Sequence, residues 1–184
     1  MTLNSKQNPP TYNVETIFDT SLNSENPWWV ARTKSRQEKA LAWSLMKGGI
    51  SYFLPLSARP QKNKARLRLS IIPLFPGYLF FRGTSHNRYK ALVTGRIAQV
   101  IPVQDQITLN NELRAISYAC RVEENLELCD LVREGQRARI VFGPFTGAEG
   151  IVWEKKNRTR LILAVQAIGQ AIRVEVGMDQ LILI

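Results

Sequence analysis

Residues 75–81 read FPGYLFF, a Pro-Gly turn running into consecutive aromatic and aliphatic residues. Such a run suits a central strand, because aromatic side chains fit a pleated surface and alternate residues point to opposite sides of a sheet. Period two places Phe75, Gly77, Leu79 and Phe81 on one face and Pro76, Tyr78 and Phe80 on the other. One face must enter a core, and the other leaves Tyr78 and Phe80 for a shallow apolar patch. Upstream, RPQKNKARLRLS (59–70) carries Arg59, Lys62, Lys64, Arg66 and Arg68 with no acid among them, and its alternation predicts a protruding basic hairpin. Tyr52–Leu56 predicts a strand, as does Trp28–Thr33. Between them, Ser35 and Glu38 have the spacing of a capping box. Leu41 and Leu45 form an i,i+4 pair, and Gly48-Gly49 supplies a helix stop. Downstream, a helix over 85–92, a strand over 97–103 and the apolar stripe Leu109, Leu113, Ile116, Cys120 of a further helix complete a β-α-β-β-α-β-α order. The fold class is α+β, an antiparallel sheet flanked by helices.

The pattern changes after residue 121. Residues 122–131 are acidic and polar and predict a flexible linker. Beyond them, short apolar runs at 138–142, 151–153, 161–165, 172–176 and 181–184 alternate with Gly, Pro and Asn turn signals. Five short strands in a small domain predict a five-stranded SH3-like barrel over 132–184, which removes most open edges. Residues 1–26, rich in Asn, Ser, Thr and Pro without a sustained period, predict a disordered tail. The expected organisation is therefore tail (1–26), α+β domain (27–121), linker (122–131) and barrel (132–184).

The chain has 184 residues, of which 45% are hydrophobic and 22% charged, so wholesale disorder is excluded. No apolar run reaches the ~20 residues that span a bilayer, and the first residues lack the apolar core of a secretory signal. Cys120 and Cys129, nine apart, fit neither a metal hook nor a disulfide scaffold. The expectation is a cytoplasmic monomer with reduced thiols and no cofactor or metal. The formal charge is +10, and residues 27–119 alone hold 15 basic residues against 3 acidic. Charge concentrated in one domain is the footprint of a nucleic-acid-facing surface. The lone His86 has no plausible catalytic partners. No nucleophile motif, phosphate loop or carboxylate pair is present, so an enzyme is not expected.

Trp28-x-Val30, Lys34-x-Arg36-Gln37-Glu38-Lys39 and PLFPGYLF (73–80) resemble the N-terminal domain of the NusG family of transcription elongation factors. Gly135, VFGPF (141–145) and Gly150-Ile151-Val152 resemble that family's C-terminal KOW barrel. Order, spacing and linker agree over residues 27–184. The resemblance implies that Tyr78 and Phe80, with Phe75 and Pro76, dock the clamp helices of the RNA polymerase β′ subunit, with the β gate loop as a second contact. It implies that Lys34, Arg36 and Gln37 lie beside the non-template DNA strand or nascent RNA. Lys62, Lys64, Arg66 and Arg68 of the hairpin are assigned backbone contacts. The base-reading residues of specialised members do not align onto Ala40, Trp43 and Ser44, so no sequence-specific reading is implied.

The resemblance places the barrel's partner loop at Ile168, Gly169 and Gln170. Housekeeping members carry Phe and Arg where this chain has Ile168 and Gln170. That departure argues against Rho and leaves a ribosomal small-subunit protein as the candidate partner. With the basic first domain, it points to a specialised paralogue of the RfaH-like kind, acting in antitermination. The β-branched alternation over 172–176 favours a stable barrel over a refolding one. The competing reading is an RNA-binding KOW module of ribosomal or RNA-hairpin-binding type, which accounts for the charge but leaves FPGYLFF unexplained.

Overall fold

The computed structural model describes residues 8–12, 15–18, 26–63, 66–122, 126–129, 135–143, 146–155 and 158–184. The chain divides into two units, Met1–Gln106 and Ile107–Ile184. In the first, β1 (Trp28–Thr33) leads into α1 (Glu38–Lys47) and β2 (Ser51–Phe53). A hairpin of β3 (Leu56–Asn63) and β4 (Arg66–Pro73) follows, then β5 (Tyr78–Arg82), α2 (Ser85–Val93) and β6 (Ile97–Ile101). Strands β2-β5-β1-β6 form an antiparallel sheet in that order, and β3-β4 a separate ribbon.

The register sorts the sheet's residues. Trp28 faces Arg82 and Val30 faces Phe80 across β1–β5, while Phe53 faces Phe80 across β2–β5. Directly opposite residues share a face. Trp28, Val30, Phe53, Tyr78, Phe80 and Arg82 therefore line one side, and Ala31, Tyr52, Leu79 and Phe81 the other. The second side buries itself with Leu41, Ala42 and Leu45 of α1, Ala91 of α2 and Ile97 in one cluster. The i,i+4 spacing of Leu41 and Leu45 is what turns both toward the sheet.

Strand β5 begins at Tyr78 because Pro76 and Gly77 form the centre of a turn. The Tyr78 N–H closes it on the Phe75 carbonyl at 3.1 Å, with Gly77 at φ 84. Proline followed by a positive-φ glycine is a type II arrangement. The turn ends the predicted alternation, so Phe75 does not join Leu79 and Phe81; its ring meets Phe80 edge-on at 6.2 Å. The predicted capping box at Ser35 does not form. Gln37 is the N-cap of α1, without a side-chain hydrogen bond, and Glu38 accepts the Gly77 N–H at 2.7 Å. A capping box forms at α2 instead, between Thr84 and Asn87.

The expected disordered tail is packed where it is described. The Leu54 N–H donates to the Thr11 carbonyl, Tyr12 bridges Phe53, and a 3-10 turn at Glu15–Phe18 buries Ile17 and Phe18. Two apolar neighbours in a polar run suffice when an aromatic face is there to receive them.

In the second unit, α3 (Gln106–Val122), whose first residue closes the first unit, precedes β7 (Glu127–Cys129). The five expected strands follow as β8 (Arg137–Ile140), β9 (Glu149–Lys155), β10 (Arg158–Val165), β11 (Gln170–Glu175) and β12 (Leu181–Leu183). They join one antiparallel sheet ordered β12-β8-β9-β10-β11-β7. The sixth strand is a correction: β7 lies inside the stretch expected to be a flexible linker, and it pairs with β11 from Cys129↔Ala171 to Glu127↔Arg173. An edge strand left open collects any extended segment that can complete its ladder. The division between units falls at the start of α3, whereas the sequence reading put it after that helix.

Candidate functional site

The side of the first sheet opposite α1 and α2 carries a continuous aromatic row. Phe18 stacks on Trp28 at 5.9 Å and meets Phe53 edge-on at 5.2 Å. Phe53 lies 6.3 Å from Phe80, which meets Phe75. The structure brings the four residues assigned to polymerase docking together at one end of this row, but with unequal exposure. Pro76 is exposed and Tyr78 half-buried, while Phe75 and Phe80 are 1% and 0% exposed. The expectation that Phe80 stands open on the surface is therefore corrected, since its neighbours in the row enclose it.

Arg82 sits at the other end, 2% exposed, with its guanidinium 5.6 Å over the Trp28 ring. Its Nη1 donates to the Ile17 carbonyl at 2.8 Å, and Nε and Nη2 donate to the Asn26 carbonyl at 3.2 and 3.1 Å. Burial lowers its pKa from the ordinary value, yet a guanidinium stays charged at any physiological pH. Trp28, Phe53, Arg82, Ile17 and Phe18 are not assigned to the site by the sequence. The available signal was Ile17-Phe18, an adjacent bulky apolar pair in an otherwise polar stretch.

A second surface surrounds the start of α1. Lys34 and Arg36 are exposed, and Arg36 holds φ 58, a left-handed conformation uncommon outside glycine and asparagine. Gln37 is half-buried and its side-chain carbonyl accepts from Arg96 Nη1. Arg96 also reaches Ser44 Oγ at 3.3 Å, and its carbonyl accepts the Lys34 N–H at 2.9 Å. Arg32 is exposed on β1 but stands opposite Tyr78, and so belongs to the other side of the sheet, with the aromatic row. Lys34, Arg36 and Arg96 gather where the helix end is already positive, a setting suited to phosphate oxygens. Arg96 was not singled out from sequence, because its contacts with Gln37 and Ser44 lie 59 and 52 positions away along the chain.

In the hairpin, Arg59 is exposed, and Lys62, Arg66 and Arg68 lie on β3 and β4, with Gln61 paired to Arg68 and Asn63 to Arg66. Lys64 lies outside the described residues.

In the second sheet, the loop assigned to partner binding turns between β10 and β11 through a 3-10 turn at Gln166–Ile168. Gly169, at φ 64, donates its N–H to the Gln166 carbonyl. Ile168 and Gln170 are half-buried, and Gln170 Oε1 has no hydrogen-bond partner. The Glu112 carboxylate of α3 accepts the Gln166 N–H at 3.2 Å. On the same sheet the Arg173 guanidinium stacks 4.7 Å over Trp153. Among the described residues no group of His, Cys, Asp and Glu could hold a metal ion, and no helix is long and apolar enough to cross a membrane.

Residues 26–112 match the family model described as transcription termination factor nusG. No curated protein matches the chain. Among solved structures, one from work on domain interaction in Thermotoga maritima NusG is similar at 17% identity and a TM-score of 0.49, covering 85% of this chain and 96% of that one. A second, from the MjSpt4:Spt5 complex in conformation B, is similar at 16% identity and a TM-score of 0.26, with the same coverage of both chains. Similarity this distant adds nothing to the fold described above.

Proposed function

We propose, from the premise that residues 26–112 are a domain of the NusG family, that this protein is a transcription elongation factor that binds RNA polymerase. The observation that carries this reading is the match itself, because it spans every strand of the first sheet and the turn at Pro76-Gly77. The factor does no chemistry. It spends binding energy on one polymerase conformation and so shifts the population toward elongation.

Residues take distinct parts in this reading. Pro76 and Tyr78, the accessible end of the aromatic row, make the first contact with the β′ clamp helices, and Phe75 and Phe80 support them from behind. Lys34 and Arg36, with Arg96 beside them, face the phosphates of the non-template strand or nascent RNA. Gln37 acts through Arg96, which its side chain holds in place. Lys62, Lys64, Arg66 and Arg68 add non-specific backbone contacts from the hairpin. Ile168, Gly169 and Gln170 form the barrel's partner loop, for a ribosomal small-subunit protein. Their departure from the housekeeping pattern supports a specialised paralogue acting in antitermination in the cytoplasm.

The test is binding of the full chain to RNA polymerase, beside Tyr78→Ala. Specific binding weakened about tenfold or more by the substitution, with circular dichroism unchanged, is the expected result. A chain that ignores polymerase, or binding indifferent to Tyr78→Ala, refutes the proposal.

A further inference from the structure

The segments 8–12 and 15–18 are attached to the first unit in an unusual way. They begin at the outer edge of β2, the end strand of the sheet. There the Leu54 N–H donates to the Thr11 carbonyl at 2.6 Å, Tyr12 bridges Phe53, and Tyr52 Oη donates to the Pro10 carbonyl at 3.0 Å. Lys39 Nζ reaches Asn8 Oδ1 at 2.6 Å. The chain then crosses to the side opposite α1 and α2. There Ile17 and Phe18 are 2% and 7% exposed against the aromatic row, and Arg82 holds the Ile17 carbonyl.

Two observations separate this attachment from the helix-side core, although Ile17 and Phe18 are themselves buried. The buried cluster that joins the sheet to α1 and α2 contains Leu41, Ala42, Leu45, Tyr52, Leu54, Leu79, Phe81 and their neighbours, and no residue from either segment. The hydrophobic anchorage is also small: among the described side chains of the two segments, Pro9, Ile17 and Phe18 are the buried ones. Releasing them leaves the helix-side core whole and uncovers Trp28 and Phe53, in line with Phe80, Tyr78 and Pro76.

We infer that residues 8–12 and 15–18 are a displaceable strap, an intramolecular competitor seated on the Trp28–Phe53 end of the docking face. It leaves when the β′ clamp helices take its place. This rests on the polymerase-docking reading above. Pro76 and Tyr78 remain accessible with the strap closed and supply the first foothold. The strap then sets the apparent affinity through the fraction of molecules in which it is open.

The experiment uses the full chain and an isolated β′ clamp-helix fragment as probe. It reads affinity for wild type and for Ile17→Ser/Phe18→Ser, and amide exchange at Leu54 in the wild-type chain with and without saturating fragment. The Leu54 amide reports the strap directly, because its partner is the Thr11 carbonyl. The expected results are a released variant that binds about tenfold or more tightly and Leu54 exchange that accelerates in the wild-type complex. If the fragment binds while Leu54 stays protected, or release leaves the affinity unchanged in a folded variant, the strap is overturned and the docking face stands. If neither protein binds, the docking reading falls and the strap with it. Should the double variant fail to fold, exchange at Leu54 in the wild-type chain decides alone.

Discussion

Replacing Phe80 by alanine asks whether the aromatic row is packed interior or open surface. Phe80 is 0% exposed on β5, an inner strand, with Phe53 at 6.3 Å and Phe75 at 6.2 Å. Truncation leaves a void bounded by a hydrogen-bonded sheet, which relaxes little. Phe→Ala at such sites costs ~3–5 kcal/mol, and enclosure by two further rings argues for about 4 kcal/mol here. With a urea slope of roughly 2 kcal/mol per molar for a domain this size, the midpoint falls by about 2 M. Tryptophan fluorescence is the suitable probe, since Trp28, Trp29 and Trp43 lie in the first unit and Trp153 in the second. Tyr78→Ala is the control: half-buried at the start of the strand, it loses under about 1.5 kcal/mol. A loss below about 1 kcal/mol for Phe80→Ala would show that the row is not packed in solution and would refute the enclosure argued above.

Two further outcomes are expected. Glu38→Ala orphans the Gly77 N–H and removes a carboxylate from the first turn of α1; it costs about 1–3 kcal/mol in thermal melts. Glu38→Gln keeps an acceptor and recovers most of that, and equal losses for both variants would exclude the hydrogen bond as the cause. Burial pushes the Tyr52 phenol up to about 12 from 10.0. Because the folded state holds this proton more tightly than the unfolded chain, stability is fully present below pH 10 and declines as pH rises toward 12. The Pro10 contact weakens in the same window. Ultraviolet titration should show one late tyrosine whose ionisation accompanies alkaline unfolding, and a Tyr52 that titrates with the exposed tyrosines would contradict this.

Most of the secondary structure was legible because its signals are local. The i,i+4 pair Leu41–Leu45, the stripe Leu109–Leu113–Ile116 and the Pro-Gly turn before Tyr78 each depend on a few adjacent residues, and each element appears where those residues put it. The same local logic mispredicted the Ser35 cap. Glu38 had a better partner in Gly77, 39 positions away, and spacing along the chain carries no information about such a partner.

By itself, the sequence determined an α+β unit followed by a run of short strands, the two faces of β5, and a basic first unit whose helix start and aromatic turn resemble one family. Tertiary structure alone decided which of those residues meet solvent. A period-two pattern shows that Phe80 and Leu79 point to opposite sides, but it is silent on what covers each side. Phe18 reaches Trp28 and Phe53 from a polar stretch with no period of its own, and Glu127–Cys129 joins β11 from what reads as a linker. In both cases the physical reason is the same. A buried face or an unpaired strand edge gains free energy from whatever apolar pair or extended segment the chain can bring to it, and only the folded topology determines which segment can reach.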